Sequence, residues 1–344
     1  MSDTQQPQFY ERMKLLVLGG TEFVGRALVD AGLARGWDVT TFNRGTHGPR
    51  AGVTGVTGDR STQQGIQSLT DHDGDWDVVV DTWSWAPSTV RDTARALAAR
   101  AGRYVYISSC SVYGFPAQPG STENSPVVDS SPDDDTFEDY ARTKAGAERA
   151  VTDAFGERAI LARAGLILGP HENIGRLPWW LLRAARGGRI LAPGTPDAGI
   201  QYIDARDLAD WALTAAEHGV SGPVNVISKP SQTTMGEVLE LCLRATGSSG
   251  SLEWVTPERI LEAGIEPWTQ LPLWLPPGEA HDTMYRIDVS RASETGLSIR
   301  PISETVTDTW AWLQSIGGVP PQRADRPPAG IDPRREAEVL AALG

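Results

Sequence analysis

Cysteine is scarce. The 344 residues hold two, Cys110 and Cys242, and neither has another Cys or a His at metal-ligand spacing. That excludes a disulfide framework and a Cys-based zinc site, and it fits a reducing compartment. Basic residues are also few, 31 Lys and Arg against 44 Asp and Glu, for a formal net charge of −13. Affinity for a phosphate backbone rests on clustered cations, so nucleic acid is not an expected partner, and any bound anion must be held by a few local arginines. No apolar run approaches the roughly 20 residues that span a bilayer. Residues 1–8 are polar and lack the basic and apolar regions of an export signal. The expectation is a cytoplasmic chain with a small-molecule substrate and no membrane association.

What is present begins with Lys14-Leu-Leu-Val-Leu-Gly-Gly-Thr-Glu-Phe-Val-Gly25. The unbroken apolar run 15–18 reads as a strand buried on both faces, and Phe23, Val24, Ala27, Leu28 and Ala31 then follow a helical period. Gly19 and Gly20 permit a sharp strand-to-helix turn, Gly25 permits close packing of helix on strand, and the helix N-terminus offers free N–H groups to a phosphate. A dinucleotide pyrophosphate is expected here, against Thr21, Phe23 and Val24. Further strands are predicted over 37–42, 53–57, 75–81, 104–108, 159–163 and 224–227, and helices over 61–69, 88–101, 137–155, 177–186 and 205–217. This alternation predicts an α/β fold, a doubly wound parallel Rossmann-type sheet, with a smaller, discontinuous C-terminal substrate lobe. The expected division is 13–168 with 200–228 as the dinucleotide-binding domain, 169–199 with 229–316 as the second lobe, and 317–344 as a proline-rich linker and tail ending in a helix over 334–343.

Tyr140-Ala-Arg-Thr-Lys144 lies within a predicted helix, where a spacing of four brings both side chains to one face. A free phenol has a pKa of roughly 10, so proton exchange near neutrality needs help from a cation such as Lys144. Ser109, at the carboxyl end of the fifth strand, points a hydroxyl into the same crevice. Tyr140 is therefore the candidate acid/base, Ser109 the residue that positions the reacting oxygen, and Lys144 the tuner of the phenol and a ribose ligand.

With Ser108-Ser-Cys-Ser-Val-Tyr-Gly114, Arg163-Ala-Gly-Leu-Ile-Leu-Gly-Pro170 and Gln201-Tyr-Ile-Asp-Ala-Arg-Asp-Leu208, these motifs resemble the extended short-chain dehydrogenases/reductases, also called the NAD-dependent epimerase/dehydratase family. The resemblance runs from about residue 13 to 313. It implies a Ser109–Tyr140–Lys144 triad, a nicotinamide cofactor in the first lobe and substrate in the second. Two departures bear on the cofactor. Glu22 stands where the family usually has the middle glycine of the phosphate turn, and a carboxylate there must turn away from a pyrophosphate. Asn43-Arg44 stands where NAD-preferring members have an acidic residue, and Arg44 with Arg26 is a candidate clamp for a 2′-phosphate, so NADP is expected rather than NAD. Asp59, followed by Arg60, resembles the adenine-contacting position, and Asp81 opens the loop after the fourth strand.

Two further departures bear on the reaction. Cys110-Ser111 replaces the Asp-Glu pair of the family's dehydratases, and Leu166 replaces the Asn that grips a nucleotide sugar. The expected substrate side comprises Ser109, Cys110, Ser111, His171, Trp179 and Trp180, with no metal. The reading is an NADP-dependent oxidoreductase acting on a carbonyl or carbinol carbon, with a homodimer through the helices over 88–101 and 137–155. A nucleotide-sugar epimerase and a non-catalytic NADP-binding regulator remain the alternatives.

Overall fold

A computed structural model describes residues 12–46, 48 and 50–342. The polar stretch 1–8 and the expected helix end at Leu343 lie outside the described residues. The elements run β1 (Lys14–Leu18), α1 (Phe23–Ala34), β2 (Asp38–Asn43), β3 (Val53–Thr57), α2 (Gln63–Thr70), β4 (Trp76–Asp81), α3 (Pro87–Leu97), β5 (Ala101–Ser109), α4 (Tyr140–Phe155) and β6 (Ala159–Ala164). After them come β7 (Ile167–Leu168), α5 (Arg176–Ala185), β8 (Arg189–Pro193), β9 (Gly199–Ile200), β10 (Ile203–Asp204), α6 (Ala205–Glu217), β11 (Gly222–Val226) and β12 (Thr233–Thr234). The chain closes with α7 (Met235–Thr246), β13 (Ser251–Val255), α8 (Pro257–Glu262), α9 (Glu279–Tyr285), α10 (Ser290–Glu294), α11 (Ile302–Ser315) and α12 (Pro333–Ala342).

Seven strands form one parallel sheet in the order β3-β2-β1-β4-β5-β6-β11. The order reverses between β1 and β4, and the crevice outside their carboxyl ends is where such a sheet takes its ligand. Strand alternation explains the two faces. Leu15 and Val17 pack with α1 and α6, whereas Leu16 and Leu18 pack with Tyr104, Tyr106 and the α3–α4 face. Leu15, Leu16 and Val17 are fully buried, and burial on this scale stabilises by about 1.5–3 kcal/mol per side chain.

Two predicted helices start and stop differently. The helix expected over 88–101 begins at Pro87, whose fixed φ suits a first turn, and it ends at Leu97, so that Ala101 opens β5. The helix expected over 137–155 begins at Tyr140, because the Asp139 carboxylate caps it by accepting from the Arg142 N–H at 3.0 Å.

The second lobe wraps α5, α7, α8 and α11 and the paired strands β8 and β13 around a core that holds Trp180, Trp274 and Tyr285. Ile331, Val339 and Leu340 belong to that core too. The expected linker and tail is therefore packed structure. Gly330 donates to the Thr269 carbonyl at 2.8 Å, Arg323 N–H donates to the Asn173 carbonyl at 3.1 Å, and buried Glu336 on α12 pairs with buried Arg183 on α5 at 2.6 Å. Polar ties also join the lobes: Asp204 and Asp207, at the start of α6, accept from the Thr305 hydroxyl and from Arg300 respectively.

Candidate active site

The crevice over the β1–β4 switch point has a volume of about 1180 Å³, room for a dinucleotide and a substrate together. Its floor is the turn after β1. A Cβ on Gly20 would stand 2.8 Å from Thr41 Cγ2, and one on Gly25 would stand 2.6 Å from the Gly20 backbone nitrogen. Only glycine lets α1 approach the turn this closely, so its free N–H groups face the crevice along Thr21, Glu22, Phe23, Val24 and Gly25. Phe23 takes a positive φ of 32° as the helix begins. Glu22 does what its position demands: its Oε2 accepts from Asn173 Nδ2 at 2.7 Å, so a side chain of the second-lobe loop engages the carboxylate. The residues fit a pyrophosphate at this turn.

At the far wall, Ser109, Tyr140 and Lys144 come together. The Ser109 hydroxyl donates to Ser111 Oγ at 3.0 Å and accepts from the Ser111 N–H at 3.1 Å, and it faces the same crevice as the Tyr140 phenol. Burial pushes the phenol above its ordinary value, and the neighbouring Ser109 hydroxyl, followed by the guanidinium groups of Arg326, Arg176 and Arg323, pulls it back. Lys144 Nζ lies 5.9 Å from the Tyr140 ring centre and donates to the carbonyls of Trp83 at 2.7 Å and Ile107 at 2.8 Å. Burial pushes that ammonium down to about 7, against the pull of Asp81 and Glu148. Glu148, one turn further along α4, is closed off from the crevice in a buried network with Arg163 and Ser108. Cys110 and Ser111 line the crevice, and the Cys110 thiol donates to the Arg163 carbonyl while burial raises it to about 12. That thiol has no reactive character.

At the β2 end, Asn43, Arg44, Thr46, Asp59 and Arg60 line the crevice. Asn43 Oδ1 accepts from the Gly45 N–H at 2.9 Å, which shapes the loop, and Arg44 is exposed at its tip. Asp59 accepts from the Ser61 N–H and hydroxyl, and these bonds hold it below the usual carboxylate range, with Arg44 contributing. Asp81 differs from expectation. It is fully buried behind the crevice, where it accepts from Arg60 Nη2 at 2.8 Å, the Tyr104 hydroxyl at 2.6 Å and the Trp83 N–H at 2.8 Å. It fixes Arg60 and the Trp83 loop instead of touching a ligand. Arg26 also departs from the expected clamp. It is exposed on α1 and does not line the crevice, because the second turn of the helix carries it away from the phosphate turn.

Three expected substrate residues face elsewhere. Trp180 is 1% exposed in the second-lobe core, with its indole N–H donated to the Pro272 carbonyl at 2.7 Å. Trp179 packs edge-on to Trp180 and against Gly330, and His171 packs on Trp312 with burial pushing it down to about 4. None of the three lines the crevice. Residues that do line it include Trp268, one of the second-lobe tryptophans from which a substrate contact was expected, and, unforeseen as site residues, Trp83, Trp85, Arg176, Arg323 and Arg326. Arginines between proline pairs in a chain so short of cations were the available signal.

The sequence profile described as the NAD dependent epimerase/dehydratase family matches residues 15–227. A curated relative, the 2-alkyl-3-oxoalkanoate reductase of Stenotrophomonas maltophilia, is 32% identical over 262 residues, covering 69% of this chain and 76% of the relative. Among solved structures, the Bordetella bronchiseptica enzyme WbmH in complex with NAD+ superposes with a TM-score of 0.66 at 18% identity, over 90% of this chain and 100% of that one. The Thermus thermophilus UDP-glucose 4-epimerase complex with NAD gives 0.63 at 20% identity, over 89% and 100%. The chain belongs to the NAD-dependent epimerase/dehydratase family. It is an NAD(P)-dependent enzyme of the reductase/epimerase type, and its chemistry is hydride transfer.

Proposed function

We propose that this enzyme is an NADP(H)-dependent reductase of an oxo compound, with Tyr140 as proton donor, Ser109 as the hydroxyl that orients the reacting oxygen, and Lys144 as ribose ligand and support of the phenol. The observation that carries this reading is that Ser109 at the end of β5, Tyr140 and Lys144 line one crevice with the glycine turn. A nicotinamide cofactor held at the glycine turn would supply the hydride. Everything else is the chain's own work: Ser109 and Tyr140 hold the carbonyl oxygen between two hydroxyls, and the phenol passes its proton to that oxygen as negative charge builds. The turn residues Gly19 to Gly25 would hold the pyrophosphate, and Arg44, exposed beside the Asn43 turn, would pair with a 2′-phosphate.

The relative's name offers a substrate class, a 3-oxo acid carrying alkyl groups. The apolar lining from Trp85, Phe115, Leu166, Met284 and Trp268 supports an alkyl substituent, and Leu166 offers no amide to a nucleotide sugar. The homodimer belongs to this reading as well, through the outer faces of the packed helices α3 and α4, as does a reducing compartment for the two free thiols. Tyr140→Phe tests the assignment. Its kcat for NADPH-dependent reduction should fall by about 10²-fold or more, the usual contribution of a positioned acid, while NADPH affinity stays within about twofold. Unchanged turnover would remove Tyr140 from the role. Epimerisation without net loss of reduced-cofactor absorbance would turn the reading to an epimerase.

A further inference from the structure

The strongest unexplained feature of the crevice is a concentration of guanidinium groups beside the phenol in a chain of net charge −13. Arg176 opens α5, and Arg323 and Arg326 come from the strap between α11 and α12. All three line the crevice. Arg326 Cζ stands 5.9 Å from the Tyr140 ring centre, and Arg176 Cζ stands 5.2 Å from the Trp268 ring centre. Their partners differ. Arg323 is neutralised by Asp325 at 2.7 Å and stacks on Trp85 at 5.2 Å, which anchors the strap to the rim. The guanidinium groups of Arg176 and Arg326 have no ion pair or hydrogen bond among the described residues. Arg176 uses its backbone N–H, not its side chain, on buried Glu172. Burial, and then the neighbouring Arg326, hold Arg176 below its ordinary value, with Glu172 opposing them.

The other carboxylates on the same walls are engaged elsewhere or stand at the rim. Asp139 caps α4, Glu22 is engaged by Asn173, Asp59 by Ser61, and Glu138 is exposed at the rim. Arg176, half-buried near Glu172, and Arg326, exposed next to Asp325, both turn guanidinium groups without a direct ion pair into the crevice beside Trp268 and the phenol, an arrangement suited to an anion.

We infer that Arg176 and Arg326 form a carboxylate clamp that holds the acid group of the substrate next to the carbonyl reduced at Tyr140. The inference deepens the reading above and rests on it for the position of the carbonyl. The 5.9 Å between Arg326 and the phenol ring limits the separation of the two groups: the carboxylate stands only a few bonds from the reacting carbon, as in a short-spaced oxo acid. Prolines frame the strap as Pro320-Pro321 and Pro327-Pro328, so little conformational freedom is left for it to lose when the anion binds.

Titration calorimetry of the NADP+-saturated, full-length protein tests this, with 3-hydroxyhexanoate, its methyl ester and UDP as probes. The acid should bind at least about tenfold more tightly than the ester, a usual worth for one charge-assisted pair. Arg176→Gln and Arg326→Gln should each erase most of that preference while NADP+ affinity stays within about twofold, and Arg326→Lys should restore part of it. In turnover of the matching oxo acid, the loss should fall on KM more than on kcat. A preference that survives both Gln variants, equal binding of acid and ester by the wild type, or UDP binding more tightly than the acid would each overturn the clamp. Acid-selective binding without reduction of any oxo compound supports the clamp and defeats the reductase assignment. Reduction with no preference for the acid does the reverse.

Discussion

At the residue scale, the phenol and the hydroxyl at its side were readable because each sits at a position the chain's periodicity defines: Tyr140 and Lys144 four apart on a helix, Ser109 at a strand end. What could not be read was direction. Trp180 and Asp81 turn into the core, Trp179 and His171 pack on second-lobe residues, and Arg26 points outward on α1, because side-chain orientation depends on elements far away in the chain. Arg44 kept its place without its expected partner, which sharpens its test. If Arg44 pairs with a 2′-phosphate, Arg44→Ala should raise the dissociation constant for NADPH by about tenfold and leave that for NADH within about twofold. Fluorescence titration with both cofactors measures this. Equal losses would assign Arg44 to the shared part of the dinucleotide.

At the element scale, the β1–α1 unit carries the fold and the cofactor turn together. Its apolar run and glycine spacing are local features, so the strand, the turn and the helix were all legible from one short stretch. Helix ends were less so, because a cap depends on one side chain: Asp139 starts α4 three residues later than hydrophobicity suggests, and Pro87 starts α3 one residue earlier. The close approach at Gly25 makes a quantitative test. A Cβ there meets backbone at 2.6 Å, and backbone cannot rotate away. Gly25→Ala should therefore cost about 1–3 kcal/mol in chemical denaturation and weaken NADPH binding as the turn shifts. Gly55→Ala in β3, where nothing lies within 4 Å, should stay within about 0.5 kcal/mol. Equal effects at both glycines would mean that the turn yields freely, and that its glycines are there for reasons other than close packing.

At the scale of the whole molecule, the sheet and the discontinuous second lobe follow from alternation and punctuation along the sequence, but the strap does not. Its prolines and polar residues read as a linker because the contacts that tie it down are with distant residues, among them the Asn173 and Thr269 carbonyls, the Trp179 indole under Gly330, and Arg183 under Glu336. The last of these is the anchor. Glu336 accepts from Arg183 Nε at 2.7 and 2.6 Å, and one of its oxygens also accepts from the Leu191 N–H at 3.2 Å. Removing one partner of a buried pair costs about 3–5 kcal/mol where the other charge is left bare. Arg183 still donates to the Gly187 and Arg189 carbonyls, so the loss should fall on the attachment of α12 and not on the lobe as a whole. Glu336→Ala should thus release the tail. Limited proteolysis should cut within 319–332 at least about tenfold faster, and KM for an anionic oxo substrate should rise, because Arg326 is carried on the same strap. NADPH affinity should hold, since the β1–α1 turn lies on the other lobe. A variant that keeps the strap protected from protease would show that α12 is held mainly by Val339 and Leu340. One that loses cofactor binding as well would tie the tail to the stability of the whole chain.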